Sequence, residues 1–165
     1  MKKVIVINGA GGVGKDTICD IVAEKYKVKN ISTITPIKEI AKQFGWNGAK
    51  DDRDRKFLSD LKNAFSDYND LPNAYAVDEY NRFLHDDNEV MFVHIREGEQ
   101  IQHFIDSIDG DCVTLLIRGR GKEHYGNKSD DMVNDFEYDF TYDNVKTLEE
   151  LPDDFLKFFD SNIFA

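Results

Sequence analysis

The sequence has little cysteine and little proline, with two and three residues respectively, and no apolar run approaches the ~20 residues of a transmembrane helix. Cys19 and Cys112 are too few for a disulfide framework, and their apolar surroundings are typical of buried thiols in a reducing compartment. The first residues, Met1-Lys2-Lys3, lead into an apolar strand and not into a signal sequence. We therefore expect a cytoplasmic protein without a membrane segment.

Positive charge is also scarce, since 21 Lys and Arg face 32 Asp and Glu and the net charge is −11. A strongly negative chain is repelled by duplex nucleic acid and by anionic membrane surfaces, so we expect neither a nucleic acid polymer nor a membrane as a partner. A hydrophobic content of 41% and twelve Phe are typical of a globular protein, and 165 residues predict one domain. The oligomeric state is not indicated.

The most specific pattern runs from Gly9 to Thr17, directly after the apolar run 4–7. Gly9, four residues, and then Gly14-Lys15 has the spacing of a P-loop (Walker A), and apolar residues at helical period follow it. Glycines let successive N–H groups point inward, and the N-terminus of the next helix adds positive potential, so the main chain holds polyphosphate. Lys15 then reaches the β- and γ-phosphates. The pattern predicts a nucleoside triphosphate site that comprises Gly9, Ala10, Gly11, Gly12, Val13, Gly14, Lys15, Asp16 and Thr17.

Asp16 stands where this motif usually has Ser or Thr, whose hydroxyl binds Mg²⁺. A carboxylate is a suitable oxygen ligand for Mg²⁺, directly or through water, so we predict metal binding by Asp16, with Thr17 as the second candidate ligand. The alternative is that Asp16 only stabilises the first helical turn through its charge.

Alternating strand and helix patterns predict a three-layer α/β fold of the P-loop type, with a parallel five-stranded sheet. We expect strands over 3–7, 28–34, 90–95 and 112–117 and a half-exposed edge strand over 136–142. Helices are expected over 35–44, 51–68, 73–85 and 101–108, which gives a helical insertion at about 46–88. Thr147 and Glu150 have capping-box spacing for a last helix, which Pro152 is expected to break or kink.

Three of the six arginines follow predicted strand ends, at the edge where open parallel sheets bind ligands. Phosphoryl transfer needs fixed cations to hold the phosphates in line, and a phosphate acceptor needs no general base. We therefore predict that Arg96, Arg118 and Arg120 act with Lys15 as catalytic residues, the alternative being ordinary ion pairs at the surface. The polar segment at about 118–131 is either a short lid over the phosphates or a connecting loop.

A GTPase switch is not expected, because none of the eleven glycines has an aspartate three residues before it. The segment Asn127-Lys128-Ser129-Asp130 fits a guanine-reading motif, but nine polar or glycine-rich residues separate it from the nearest apolar strand.

Four segments together resemble the phage-type deoxynucleoside monophosphate kinases, within the adenylate-kinase-like group of P-loop kinases. They are 14–17 with Asp in place of Ser or Thr, Thr35-Pro36-Ile37-Lys38-Glu39-Ile40-Ala41-Lys42, the strand end His94-Ile95-Arg96, and 143–151. The resemblance implies ATP as donor, a nucleoside monophosphate as acceptor, Mg²⁺, and the sheet of nucleoside monophosphate kinases. It also implies that Arg96 binds the acceptor phosphate and that Asn144 lies near the donor adenine.

One departure from this family concerns His94, because the family tends to carry Asp at that position. The missing carboxylate removes an expected ligand of metal-bound water, for which Asp16 or Glu97 is a candidate replacement. The sequence therefore predicts a nucleoside or deoxynucleoside monophosphate kinase. A kinase of another phosphorylated metabolite and a nucleotide-binding protein without efficient catalysis remain as alternatives.

Overall fold

The computed structural model describes residues 1–119 and 135–165. Its strands are β1 (Lys3–Asn8), β2 (Val28–Ser32), β3 (Val90–His94), β4 (Val113–Arg118) and β5 (Phe140–Asp143). Its helices are α1 (Lys15–Ala23), α2 (Thr35–Gln43), α3 (Asp52–Asn69), α4 (Leu71–Phe83), α5 (Gly98–Ser107) and α6 (Leu151–Asn162). The predicted three-layer α/β fold with a five-stranded parallel sheet is confirmed.

The strand order is β2-β3-β1-β4-β5, and every adjacent pair is parallel. The first strand therefore lies at the centre, where β1 pairs with β3 from Lys3↔Val90 to Ile7↔His94 and with β4 up to Asn8↔Leu116. Parallel strands that are connected through helices end at the same edge of the sheet. The carboxyl ends of β1, β3 and β4 consequently lie side by side.

The sheet is buried on both faces, as all-parallel sheets require. Alternate residues of β1 point in opposite directions, so Ile5 and Ile7 belong to one apolar cluster and Val4 and Val6 to the other. The first cluster includes the buried faces of α1 and α6, and the second includes those of α4 and α5. These two clusters fix the orientation of β1 and α1, and with it the loop between them.

The prediction for Pro152 is wrong. The proline lies in the first turn of α6, where the missing N–H needs no partner, so it starts the helix and does not interrupt it. The aromatic residues that follow the proline, Phe155, Phe158 and Phe159, are all helical, and Phe155 and Phe159 are fully buried. The main-chain N–H of Glu150 donates to Thr147 Oγ1 at 3.2 Å in the turn before α6.

The edge strands are shorter than the apolar patterns indicated. A strand was predicted over 136–142, but β5 begins only at Phe140 and ends at Asp143, and β2 ends at Ser32 where 28–34 was predicted. Both lie at the edges of the sheet, where one side of the strand has no partner strand in the ladder.

Helix α3 has the predicted amphipathic pattern but contains no buried residue. It packs beside α2 and α4 within the region predicted as a helical insertion. No helix in the described ranges is long and apolar enough to span a membrane. Arg120, most of the candidate lid at 118–131 and the segment 127–130 lie outside the described residues.

Candidate active site

Most of the described candidate residues lie at one edge of the sheet, where the carboxyl ends of four strands meet. Gly9 follows β1, Arg96 follows β3, Arg118 ends β4, and Asn144 follows β5. This is the edge at which open α/β sheets bind ligands. Residues that are far apart in the sequence are thus brought to the two sides of the loop that precedes α1.

Three glycines give the loop between β1 and α1 a backbone that other residues rarely adopt. Gly9, Gly12 and Gly14 have φ values of 156°, 80° and 96°, a region that side chains strongly disfavour. Gly14 is the N-cap of α1, so the positive end of this helix lies at the loop. Lys15 Nζ donates to the main-chain carbonyl of Gly9, which brings the ammonium group back across the loop to its first residue.

Two of these glycines also lie against neighbouring groups. A Cβ atom on Gly9 would lie 2.5 Å from the carbonyl oxygen of Ile117 and 2.8 Å from Val13 Cγ2. A Cβ atom on Gly14 would lie 2.6 Å from Asn144 Nδ2. The loop is therefore packed tightly against β4 and the turn after β5, and its shape depends on them.

Asn144 holds the loop from the β5 side. Its Nδ2 donates to the carbonyl of Val13 at 2.8 Å, and its main-chain N–H donates to the carbonyl of Arg118 at 2.7 Å. The contact is with the loop backbone, and the implied proximity of Asn144 to a donor adenine stays a prediction.

Asp16 and Thr17 are both exposed in the first turn of α1, next to Lys15. Carboxylate and hydroxyl oxygens suit Mg²⁺, which commonly binds through one or two protein oxygens together with substrate phosphates and water. No group of three or more His, Cys, Asp or Glu side chains in residues 1–119 and 135–165 forms a ready-made metal site. The donor set therefore fits a metal that is bound jointly with polyphosphate.

His94 is enclosed at the end of β3. Its Nε2 lies 2.7 Å from Asn30 Oδ1 and 3.8 Å from Cys19 Sγ. Burial, which is the largest cause, acts with the nearby positive charges of Lys15 and Arg96 to lower the pKa of His94 to about 4, while Asp16 opposes them. The imidazole is therefore neutral at physiological pH. Because the Asn30 oxygen can only accept, the proton is on Nε2.

A group of cations lies on the β3 side of the edge. Burial lowers the pKa of Lys38, and the positive charges of Lys50, Arg96 and Lys42 lower it further, with Asp16 as the opposing negative charge. The start of α2 is held at the end of β3, because Thr33 N–H donates to the His94 carbonyl at 3.3 Å. A half-buried lysine among three cations is a favourable position for an anionic ligand.

Two ion pairs border this edge. Lys62 of α3 pairs with Glu97, whose side chains are only 15% and 22% exposed, so the helical region is joined to the segment after β3. Arg118 pairs with Asp143 through two hydrogen bonds of 2.8 and 3.3 Å, and both side chains are largely exposed. The predicted contact of Arg118 with a phosphate stays a prediction, and Arg120 lies outside the described residues.

Sequence reasoning missed two residues at this edge. Lys38 lies in the segment 35–42, which the sequence analysis used only as part of the family resemblance. The positive charges that lower its pKa include Arg96, after β3, and Lys50, between α2 and α3, and neither is close to it in sequence. Asn8 follows four apolar strand residues and is 1% exposed, yet its side chain bonds to Gly9, Arg96 and Tyr138. A polar residue between a buried strand and a glycine-rich loop is the only sequence signal that could have identified it.

Comparison with known proteins shows a similarity of fold but no relative by sequence. No family model and no curated protein sequence matches the chain. Among solved structures, a Thermus thermophilus protein superposes with a TM-score of 0.56 at 14% identity, covering 99% of each chain. A sugar kinase from a Janibacter species gives a TM-score of 0.51 at 15% identity and covers 97% of this chain and 95% of its own. A provisionally assigned kinase from Chloroflexus aurantiacus gives 0.53 at 10% identity, with 98% and 97% covered. The chain therefore shares an α/β fold with solved structures that include kinases.

Proposed function

We propose that the protein is an ATP- and Mg²⁺-dependent kinase that transfers a phosphoryl group to a nucleoside or deoxynucleoside monophosphate. The observation that supports this proposal is that a glycine-rich loop with P-loop spacing and positive-φ glycines lies at the same edge of the sheet as the cations around Lys38. When the acceptor is a phosphate, the donor polyphosphate and the acceptor phosphate must be held on opposite sides of the transferred phosphorus, so that the leaving and attacking oxygens are in line. The chain provides one candidate site for each.

The donor phosphates are assigned to the loop 9–14, the N-terminus of α1 and Lys15. The inward N–H groups and the helix end favour polyphosphate, and Lys15 already reaches the start of the loop. The acceptor phosphate is assigned to Arg96 and Lys38. Arg118 and Arg120 remain proposed contacts of the transferred group.

Asp16, with Thr17 beside it, is the proposed protein ligand of Mg²⁺. When bound, the ion would neutralise charge on the donor phosphates and hold them in one geometry. The chain's own contribution is to place these two oxygens in the first turn of α1, adjacent to Lys15.

The charge of the site favours a phosphorylated acceptor over a neutral one. Lys42, Lys50 and Arg96 each lie within electrostatic reach of Lys38, in a protein whose net charge is −11. One structural neighbour is a sugar kinase, but a phosphate on the acceptor gains more than a neutral sugar from the positive charge around Lys38. The nucleoside part of the acceptor is supported by the resemblance in sequence.

A second candidate function is nucleotide binding without efficient transfer. His94 stands where the resembling family tends to have Asp, and an imidazole carries no negative charge in either protonation state, so the negative charge of that carboxylate is missing. This candidate predicts ATP binding without acceptor-dependent release of ADP.

The test is ADP release from MgATP with each ribo- and deoxyribonucleoside monophosphate, beside Lys15→Ala and the control Lys56→Ala. Lys56 is exposed on α3 and pairs with Asp60, so its removal subtracts a lysine away from the loop. We expect one acceptor, or one chemically related group, to stimulate ADP release in the wild type and in Lys56→Ala but not in Lys15→Ala. Absence of stimulation by every monophosphate, with ATP still bound, would support the second candidate.

A further inference from the structure

Asn8 is a buried polar residue whose hydrogen-bonding capacity is used on both sides. It is 1% exposed at the end of the central strand β1. The main-chain N–H of Gly9 donates to Asn8 Oδ1 at 2.8 Å, and Asn8 Nδ2 donates to the Arg96 carbonyl and to the Tyr138 hydroxyl, both at 2.8 Å. Because Gly9 N–H can only donate and the Arg96 carbonyl can only accept, the orientation of the amide is fixed by chemistry.

The two backbone groups that Asn8 joins belong to different parts of the site. Gly9 is the first residue of the phosphate loop, whereas Arg96 is the proposed acceptor residue. The β1–β3 register reaches Ile7↔His94, so Arg96 lies two residues beyond the last registered pair. The hydrogen bonds of the Asn8 side chain thus join β1 and β3 beyond the end of their ladder, next to the proposed ligand-binding residues.

The Tyr138 hydroxyl adds a third segment to the same amide. Its ring packs against Phe136 with centroids 5.1 Å apart, and Phe136 lies against Gly98 at the start of α5. Asn8 is therefore anchored by the segment before β5 as well as by the two loops, which restricts its freedom to reorient.

We propose that Asn8 is a positioning residue that sets the separation between the donor phosphate loop and the acceptor-side Arg96. This inference rests on the proposed kinase function. In-line transfer needs both phosphate groups to be held in one geometry, and a misplacement of about 1 Å can lower the rate by about 100-fold. Asn8 acts through the backbone of Gly9 and Arg96 and has no assigned contact with substrate.

The principal test is a double-mutant cycle of Asn8→Leu and Arg96→Ala. Leucine has a similar size but neither accepts from Gly9 nor donates to Arg96. The measured quantity is the ratio of acceptor phosphorylation to acceptor-independent ATP hydrolysis, which a general loss of folded protein leaves unchanged. We expect Asn8→Leu alone to lower this ratio by about 10-fold to 100-fold. In the Arg96→Ala background, the same substitution should lower it by less than about threefold, because the side chain that it positions is absent.

A matched control is Asn73→Leu, which removes another buried asparagine. Asn73 is 6% exposed and donates to Ser107 Oγ at 3.0 Å, on the α4–α5 side of the molecule. We expect it to lower the melting temperature while keeping the transfer-to-hydrolysis ratio. If Asn8→Leu does not fold, Asn8→Ser supplies the same test, because its hydroxyl can serve Gly9 N–H but is too short to replace the bond to Arg96.

The possible failures are distinguishable. A wild-type protein without acceptor-dependent turnover would overturn the proposed function itself. A wild-type protein that turns over, with Asn8 and Arg96 substitutions acting independently on the ratio, would overturn only the positioning role. The same conclusion would follow if Asn8→Leu and Asn73→Leu had equal effects on the ratio.

Discussion

Asn144 Nδ2 donates to the main-chain carbonyl of Val13 at 2.8 Å and occupies the space that a side chain on Gly14 would need. The turn after β5 thus supports the loop between β1 and α1 directly. A hydrogen bond of this kind contributes about 1 kcal/mol, which corresponds to about fivefold in an equilibrium constant.

We therefore expect Asn144→Ala to raise the dissociation constant of ATP about fivefold, because the loop loses a support that fixes its shape. Isothermal titration with MgATP measures this change. The control is Asn162→Ala, which removes a comparable 2.9 Å bond from an asparagine amide to the carbonyl of Phe158 in α6. Equal ATP affinity in the two variants would contradict a supporting role for Asn144.

Gly9→Ala should be more harmful than Gly48→Ala. Both residues have positive φ values, 156° and 89°, but only at Gly9 would the new Cβ collide with backbone, at 2.5 Å from Ile117 O. Gly48 has no atom within 4 Å of that position, so its replacement costs about 1–2 kcal/mol for the backbone conformation alone. Denaturant unfolding and MgATP titration of both variants measure the difference. We expect loss of ATP binding in Gly9→Ala only, and a parallel loss in Gly48→Ala would show that the close packing at Gly9 is unimportant.

Lys38→Ala is expected to raise the KM of the acceptor about tenfold and to change the KM of ATP little. The reason is that a charged contact to a phosphate contributes about 1.5–3 kcal/mol, and Lys38 is proposed to lie on the acceptor side. Initial rates with each substrate varied in turn give the two constants, with Lys56→Ala as the control. An increase confined to the KM of ATP would place Lys38 at the donor site.

Stability should depend on pH through His94. Burial and nearby cations lower the pKa of His94 from 6.5 to about 4 in the folded protein. Between pH 6.5 and 4 the imidazole therefore binds a proton in the unfolded chain but not in the folded one. Above pH 6.5 the imidazole is neutral in both states and carries no penalty, and stability then declines as the pH falls toward 4, by up to about 3 kcal/mol in total. Urea unfolding between pH 7 and 4.5, without nucleotide, measures the slope. His94→Gln should have a shallower slope than the wild type, and replacement of the exposed His85 provides the control for loss of an imidazole. Equal slopes for wild type and His94→Gln would contradict the assignment.

Local patterns predicted the fold well where apolar period and glycine spacing coincide. The run 4–7 and the spacing from Gly9 to Lys15 identified β1, the loop and α1, because strand, turn and helix each leave a signal within a few residues. The prediction for Pro152 was wrong because the start of α6 leaves a weaker signal in the sequence. A proline is compatible with the first turn of a helix and incompatible with its interior, and the sequence pattern placed the start too early.

The residues that connect the site are harder to predict because their partners are remote. Asn8 contacts Arg96 and Tyr138, and Lys38 responds to Lys50 and Arg96, none of which is related to them by helical or strand period. Helix α3 shows a different limit of the sequence pattern. Its amphipathic period predicted a helix correctly, but it did not predict that none of the side chains of this helix would be buried. Burial depends on what neighbouring elements cover, and that depends on the assembled fold.

The central position of β1 also affects how the chain acquires its structure. β1 is synthesised before its partner strands, since it pairs with β3 at residues 90–94 and with β4 at residues 113–116. Pairings between such distant segments form slowly, because a long loop must close before any contact compensates for the lost chain entropy. During synthesis the apolar segment Val4–Ile7 therefore remains without its sheet neighbours until most of the chain has emerged. The loop between β1 and α1 therefore gains its surroundings from β3 and β4 late, and chains that lack those strands leave an apolar strand exposed to aggregation.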